Sequence, residues 1–242
     1  MLKTKREIVF VILAGVFITS AIVAELISCK QVDIGLFPII AGIVPWPVVF
    51  LLTDVMNEFY GKQAVRRLSY ITCGLIAFCF LIVFISVQLP TADTSYATEE
   101  EFTKLFGGSL PIMIGSIMAF IIGQMIDVRM FWFFRKLTGD KYIWLRSTGS
   151  TVVSQLFDSY IVLFIGFYLP GTYSIGQIAF YGITGYATKL VIAVGLTPFI
   201  YLVRAFMRSV FGKELAHELS EEAAKESLKA EKEMIRKGEN NS

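Results

Sequence analysis

Six long apolar stretches, separated by short polar segments, decide what this chain can fold into. They occupy roughly residues 8–28, 36–56, 68–88, 110–128, 147–169 and 175–203. A helix needs about 20 apolar residues to cross about 30 Å of hydrocarbon, and each stretch meets that length. Of the 242 residues only 17% are charged, against about 25% in soluble domains. Most of that charge lies in loops and in a dense Lys/Glu segment over 205–242. The sequence therefore predicts an all-α membrane protein, a bundle of six transmembrane helices.

Orientation follows from the bias of Lys and Arg toward cytoplasmic loops. Lys3, Lys5 and Arg6 precede the first stretch, and Lys62, Arg66 and Arg67 follow the second. Arg129, Arg135, Lys136, Lys141 and Arg146 lie between the fourth and fifth, while Arg204, Arg208 and Lys213 follow the sixth. The opposite loops hold only Lys30 and Lys104. An even number of crossings puts every basic cluster on one side, so both termini are predicted cytoplasmic. The expected organisation is an N-terminal tail over 1–7, a transmembrane domain over 8–204 and a charged tail over 205–242. The first stretch is too long for a signal peptide and is read as a span that stays. Thr98 with Glu101 three residues on predicts a capped short helix over 98–106 in the longest external loop.

Several chemistries are excluded by count. A net charge of +2 gives no footprint for nucleic acid. Cys29, Cys73 and Cys79 form no CxxC pair and are read as small packing residues. The single histidine, His217, lies in the polar tail, so neither a His-based metal site nor a Ser-His catalytic pair is expected inside the membrane. No cofactor is implied, and no GxxxxGK[ST] motif is present, so any use of ATP would need an energising partner.

The informative residues are the polar ones inside the stretches. Glu25, Asp54, Gln124, Asp127, Gln155, Asp158 and Lys189 sit where a lone charge costs about 2.5–3.5 kcal/mol, and such groups usually mark a functional path. Glu25, near a span end, is read as a snorkelling group. The others are organised. Gln124 and Asp127 are three residues apart and share a helix face, as do Gln155 and Asp158. Asp54 is followed by Asn57 and Glu58, and Lys189 lies mid-stretch beside Tyr186 and Thr188. These groups are expected to converge on a cavity in the inner half of the membrane, with Lys189 neutralising one carboxylate.

Backbone signals point the same way. Pro45-Trp46-Pro47 interrupts the second stretch and Thr197-Pro198 the sixth. Broken helices at membrane depth line cavities and often mark transport sites. Trp46, with Phe50 one turn later, offers a flat apolar face. Gly115, Ser116, Ala119, Gly123, Gly182 and Gly185 permit close helix approach. Residue chemistry alone leads to a small, flat, polar solute and leaves open a guanine-like base, a proton-coupled amine or a vitamin.

The segment from Thr53 to Lys62, reading Thr-Asp-Val-Met-Asn-Glu-Phe-Tyr-Gly-Lys and followed by Ala64 and Arg66-Arg67, resembles the hallmark of the queuosine precursor transporter family, also described as vitamin-uptake-like transporters. Gly123-Gln124-Met125-Ile126-Asp127-Val128 resembles that family's fourth-helix motif. Ser150-Thr151 with Ser154-Gln155 and Asp158 resembles the fifth, and Lys189 followed by Thr197-Pro198 and Tyr201 the sixth. The resemblance runs over about residues 10–205 and implies a multi-pass bacterial inner-membrane importer of 7-deazaguanine bases for tRNA modification. It places solute binding on Asp54, Gln124, Asp127, Asp158 and Lys189; the residues' own chemistry adds Asn57 and Gln155 as polar contacts and Trp46 as the stacking face. A homodimer is one assembly such a bundle permits. The alternative is the substrate-binding subunit of an energy-coupling-factor vitamin importer. An enzyme is not expected, because the motifs of intramembrane proteases and phosphatidyltransferases are missing.

Overall fold

The computed structural model describes residues 4–33, 38–138, 143–195 and 197–239, and Lys3, Lys141 and the end of the chain over 240–242 lie outside them. In chain order the elements are α1 (Lys5–Ile27), β1 (Gln31–Asp33), β2 (Pro38–Ile40), a 3-10 turn (Ala41–Ile43), α2 (Trp46–Tyr60), α3 (Lys62–Gln88), α4 (Glu99–Phe106), a second 3-10 turn (Gly107–Ser109), α5 (Leu110–Thr138) and α6 (Ile143–Leu163). A π-helical turn (Phe164–Tyr168), α7 (Ile175–Gly195), α8 (Thr197–Phe211) and α9 (Lys213–Glu239) follow.

Among the described residues three helical runs are long and apolar enough to cross a membrane: Lys5–Ile27, Gln63–Gln88 and Glu99–Gly123. Val152–Tyr168 is apolar but shorter. The side chains of α3 show what surrounds such a helix. Phe78, Leu81, Ile82, Phe84 and Ile85 are each about half exposed. Water tolerates few contiguous apolar surfaces of that kind, whereas lipid acyl chains cover them without penalty.

One of the stretches departs from a single-helix reading. The second opens as a two-stranded antiparallel hairpin, Gln31 pairing with Ile40 and Val32 with Ile39. It then passes through the 3-10 turn and becomes helical only at Trp46. Pro45 is the N-cap and Pro47 lies in the first turn. There a proline is harmless, because the first N–H groups of a helix have no intrahelical acceptor. Ala41 and Ile43, four residues before the two prolines, belong to the 3-10 turn and not to a kinked helix. The sixth stretch is helical on both sides of residue 196, as α7 and α8, and residue 196 itself lies outside the described residues. The fold is thus overwhelmingly helical but carries one small sheet. The loop helix forms as the sequence indicates: Thr98 caps α4 and exchanges both capping-box hydrogen bonds with Glu101.

The chain divides into two compact units. The first comprises Met1–Ala21, Val44–Gly74 and Ile192–Ser242. Its centre is the apolar stripe of α2, where Val49, Leu52, Val55, Met56, Phe59 and Tyr60 are all buried. Positions 49, 52, 56 and 59 recur at helical spacing and give one apolar face. That face packs on Ala14 and Phe17 of α1, Leu68 of α3, Met207 and Phe211 of α8, and Ala216 and Leu219 of α9. Gly61, at φ +84°, ends α2, and a Cβ there would stand 3.1 Å from the Glu226 carboxylate and 3.6 Å from Ala223 Cα. This close approach joins the charged C-terminal segment to α2.

The second unit comprises Ile22–Ile43 and Leu75–Val191. Its core gathers Ile112 of α5, Phe167 of the π turn and Ile178 of α7, with Cys29, Ile40 and Tyr173 against them. Three glycines set its helix distances. A Cβ on Gly115 would lie 3.2 Å from the Val162 carbonyl oxygen, and one on Gly166 3.2 Å from Ile112 Cα, so α5 and the end of α6 meet through backbone. A Cβ on Gly182 would fall inside contact of the Tyr160 ring, 2.6 Å from Cζ.

Candidate functional site

In the second unit four helices bring polar side chains together. Lys189 of α7 donates to Asp158 of α6 at 2.9 Å, with about a quarter of each side chain exposed. This is the neutralising pair expected for Lys189. Gln155 lies one turn before Asp158 on the same helix and is half-buried. One turn before Lys189, the Tyr186 hydroxyl donates to the Val152 carbonyl at 3.3 Å, tying α7 to α6.

Glu25 corrects the sequence reading. It does not snorkel: only 4% of it is exposed. The Ser116 hydroxyl of α5 donates to Glu25 Oε2 at 2.6 Å. The sequence marks Ser116 only as a small packing residue, and nothing in the spacing of two residues 91 positions apart signals their contact. The neighbouring Gly115 packs α5 against α6 at Val162, one turn beyond Asp158. Gly123 and Gly185, small residues of the same kind, have no atom within 4 Å of the place where a Cβ would stand and play no such part.

Gln124 and Asp127 lie on α5, but their side chains fall outside the described residues. Asp54, Asn57 and Trp46 belong to the first unit. Asp54 is exposed, and no described residue pairs with it. Asn57 is half-buried, and its Oδ1 is enclosed without a hydrogen-bond partner among the described residues. Trp46 stacks on Phe50, ring centroids 5.6 Å apart and 27° between planes, which gives the flat face expected of that pair. Thr53 turns its hydroxyl onto the Val49 carbonyl at 2.8 Å and so satisfies itself within α2.

At the hairpin end of the second unit, Phe167 and Tyr173 stack at 4.8 Å and 11°, and Tyr181 lies 4.9 Å from Tyr173. Gln31 of β1 donates to the Tyr173 hydroxyl. Burial pushes this phenol up to about 12, and Tyr181 adds to the effect, so Tyr173 stays a neutral hydrogen-bonding group at any physiological pH. A separate groove along α5, α6 and α7, lined by Ile122, Tyr160, Ile161, Phe164 and Ile178, is apolar and offers a polar base nothing to bond. Among the described residues no group of His, Cys, Asp or Glu is placed to hold a metal.

A family model described as "Putative vitamin uptake transporter" matches residues 40–203. Three curated proteins are similar to the chain. A protein of Bacillus subtilis named "Probable queuosine precursor transporter" is 32% identical over 62% of this chain and 66% of its own length. One of Haemophilus influenzae with the same name is 26% identical over 52% of this chain and 51% of its own. The "Queuosine precursor transporter" of Escherichia coli is 27% identical over 52% of this chain and 54% of its own. The chain therefore spans between half and two thirds of the length of the curated relatives that it matches. No solved structure matches it.

Proposed function

This chain belongs to the vitamin uptake transporter family, and we propose that it imports 7-deazaguanine bases across a bacterial inner membrane to supply tRNA modification. The solutes of this reading are the cyano and aminomethyl precursors of queuine, or queuine itself. The chain acts as a carrier and not as an enzyme. The names of its relatives support the solute class, and the observation that carries the reading is the Asp158–Lys189 pair at 2.9 Å within the fifth and sixth apolar stretches. An ion pair so placed is expensive to insert and has little use in a purely structural bundle.

The chemistry suits a guanine-like plane. Its amide N–H and exocyclic amine form a donor edge, and a carboxylate is acceptor-only when ionised. In this reading Asp158 accepts from that edge with Gln155 on the same helix face, and Lys189 balances the charge. Gln124 and Asp127 repeat the amide–carboxylate pair on α5. Asp54, Asn57 and Trp46 are further proposed solute contacts, each open to test by its own substitution.

The test is queuosine in the tRNA of a host that can neither make nor import precursors, with this protein expressed and each deazaguanine supplied in turn. Restored queuosine at low external precursor supports import and names the preferred base. Asp158→Asn should abolish it while the protein still reaches the membrane. A membrane-inserted protein that restores nothing without an added energising partner would overturn the reading of an unaided carrier.

A further inference from the structure

We propose that Glu25 is the proton-carrying group of this transporter, so that each neutral solute enters with one proton; the inference rests on the import reading above. Ser116, which bonds Glu25, adjoins Gly115, and Gly115 meets the Val162 carbonyl one turn beyond Asp158, so this part of the second unit holds two carboxyl groups and one ammonium. With all three ionised the cluster carries one uncompensated negative charge. A buried charge of that kind costs several kcal/mol unless it is paired, and a single proton removes the cost.

Geometry assigns that proton to Glu25. The ammonium of Lys189 is committed to Asp158 at 2.9 Å. Glu25 is the more enclosed carboxyl, 4% exposed as a residue, where the Asp158 side chain is 28% exposed. Its bonded neighbour is a hydroxyl, Ser116, at 2.6 Å, which can donate to a carboxylate or accept from a carboxylic acid. Ser116 meets Glu25 from α5, and α6 and α7 contribute Asp158 and Lys189 to the same unit. On its own helix Ser28 spends its hydroxyl on the Ala24 carbonyl at 2.6 Å.

Charge balances around the cycle. A proton from the outer side neutralises Glu25, and the solute then binds beside an electrically neutral cluster. When the site faces inward both are released, and one positive charge has moved in with each neutral solute.

The experiment uses the full chain in potassium-loaded vesicles with valinomycin, which clamps the membrane potential, and a radiolabelled 7-deazaguanine base. With the outside one pH unit more acid, the wild type should accumulate solute up to about tenfold over its level without a gradient, the limit set by about 1.4 kcal/mol per factor of ten. Adding solute should also acidify the lumen, read with a trapped pH dye. In Glu25→Gln the ratio of uptake with and without the gradient should fall to about one. If that variant takes up nothing, Glu25→Asp decides: it keeps a titratable carboxyl and should keep the gradient response, and losing the response there would overturn the proposal. A Glu25→Gln variant that still responds like the wild type overturns it as well. Wild-type uptake that moves no protons overturns this inference alone, whereas wild-type vesicles that take up no solute overturn the import reading too.

Discussion

Removing Lys189 should harm this protein more than removing its partner, and the asymmetry comes from Glu25. The pair is 2.9 Å long with 26% of the Lys189 side chain and 28% of the Asp158 side chain exposed. It lies between two measured regimes: an exposed pair is worth about 0.2–1 kcal/mol, and stranding one member of a buried pair costs about 3–5 kcal/mol. Lys189→Met leaves two carboxyl groups and no cation, and we place its cost at about 2–4 kcal/mol. Asp158→Asn leaves the ammonium with Glu25 as a replacement partner, and its cost should be about 1–2 kcal/mol. For a chain of this size 1 kcal/mol moves the thermal midpoint by about 2–4 °C, so Lys189→Met should lower it by about 4–16 °C. The assay is thermal unfolding of the purified protein in detergent, followed by intrinsic tryptophan fluorescence, for both single variants and the double. The double variant should be milder than the sum of the singles. If Asp158→Asn is as damaging as Lys189→Met, Glu25 is not within reach of Lys189 and the cluster described here is wrong.

Other parts of the structure make equally direct demands. Leu219→Ala, at a site 2% exposed in the core around α2, should cost about 2–5 kcal/mol, while Glu222→Gln, which removes an exposed pair with Arg6 at 3.1 Å, should cost under about 1 kcal/mol; hydrogen exchange of the α9 amides separates the two, and equal protection in all three proteins would show that α9 is not docked. Gly115→Ala should destabilise by about 1–3 kcal/mol, because its Cβ would meet the Val162 carbonyl at 3.2 Å, whereas Gly123→Ala, with nothing within 4 Å, should be neutral or stabilising in the same melt. Hydrogen bonds from the Thr98 backbone and hydroxyl hold the Glu101 carboxyl below its ordinary value of 4.5. The capping box therefore supports α4 in full above pH 4.5 and loses that support as pH falls through the lowered value. An NMR titration read at the Thr98 amide should show a midpoint below 4.5, which Thr98→Ala moves part of the way back; a midpoint at or above 4.5 in the parent protein would contradict the capping geometry.

How much of this could be read in advance depends on the range of each interaction. The apolar stretches, the capping box and the i, i+3 polar pairs are local, and helical geometry alone makes them legible. The prolines are legible as interruptions but not as helix starts. What distinguishes the two is whether the residues before the proline are helical, and the pairing of residues 31–33 with 38–40 that precedes α2 is a strand contact. The docking of α9 leaves a trace that composition conceals. Ala216, Leu219 and Ala223 stand at spacings of three and four, one face of a helix, inside a segment whose many Lys and Glu residues suggest only solvation.

Glu25 leaves no trace, for a physical reason. A charged residue close to the end of an apolar stretch has two destinies that look identical in one dimension. It can extend to the interface, or it can be enclosed by helices far away in sequence. The choice is made by Ser116, which reaches the carboxyl from α5, in the unit that also holds the Asp158–Lys189 pair. None of these residues lies within 85 positions of Glu25. In a membrane the energetic stake of that choice is large, so a carboxyl that is enclosed must have its charge managed by a partner or by a proton. Lys189 already serves Asp158, and this is why the proton, and with it the coupling of transport to pH, is the property that the three-dimensional arrangement adds to the sequence.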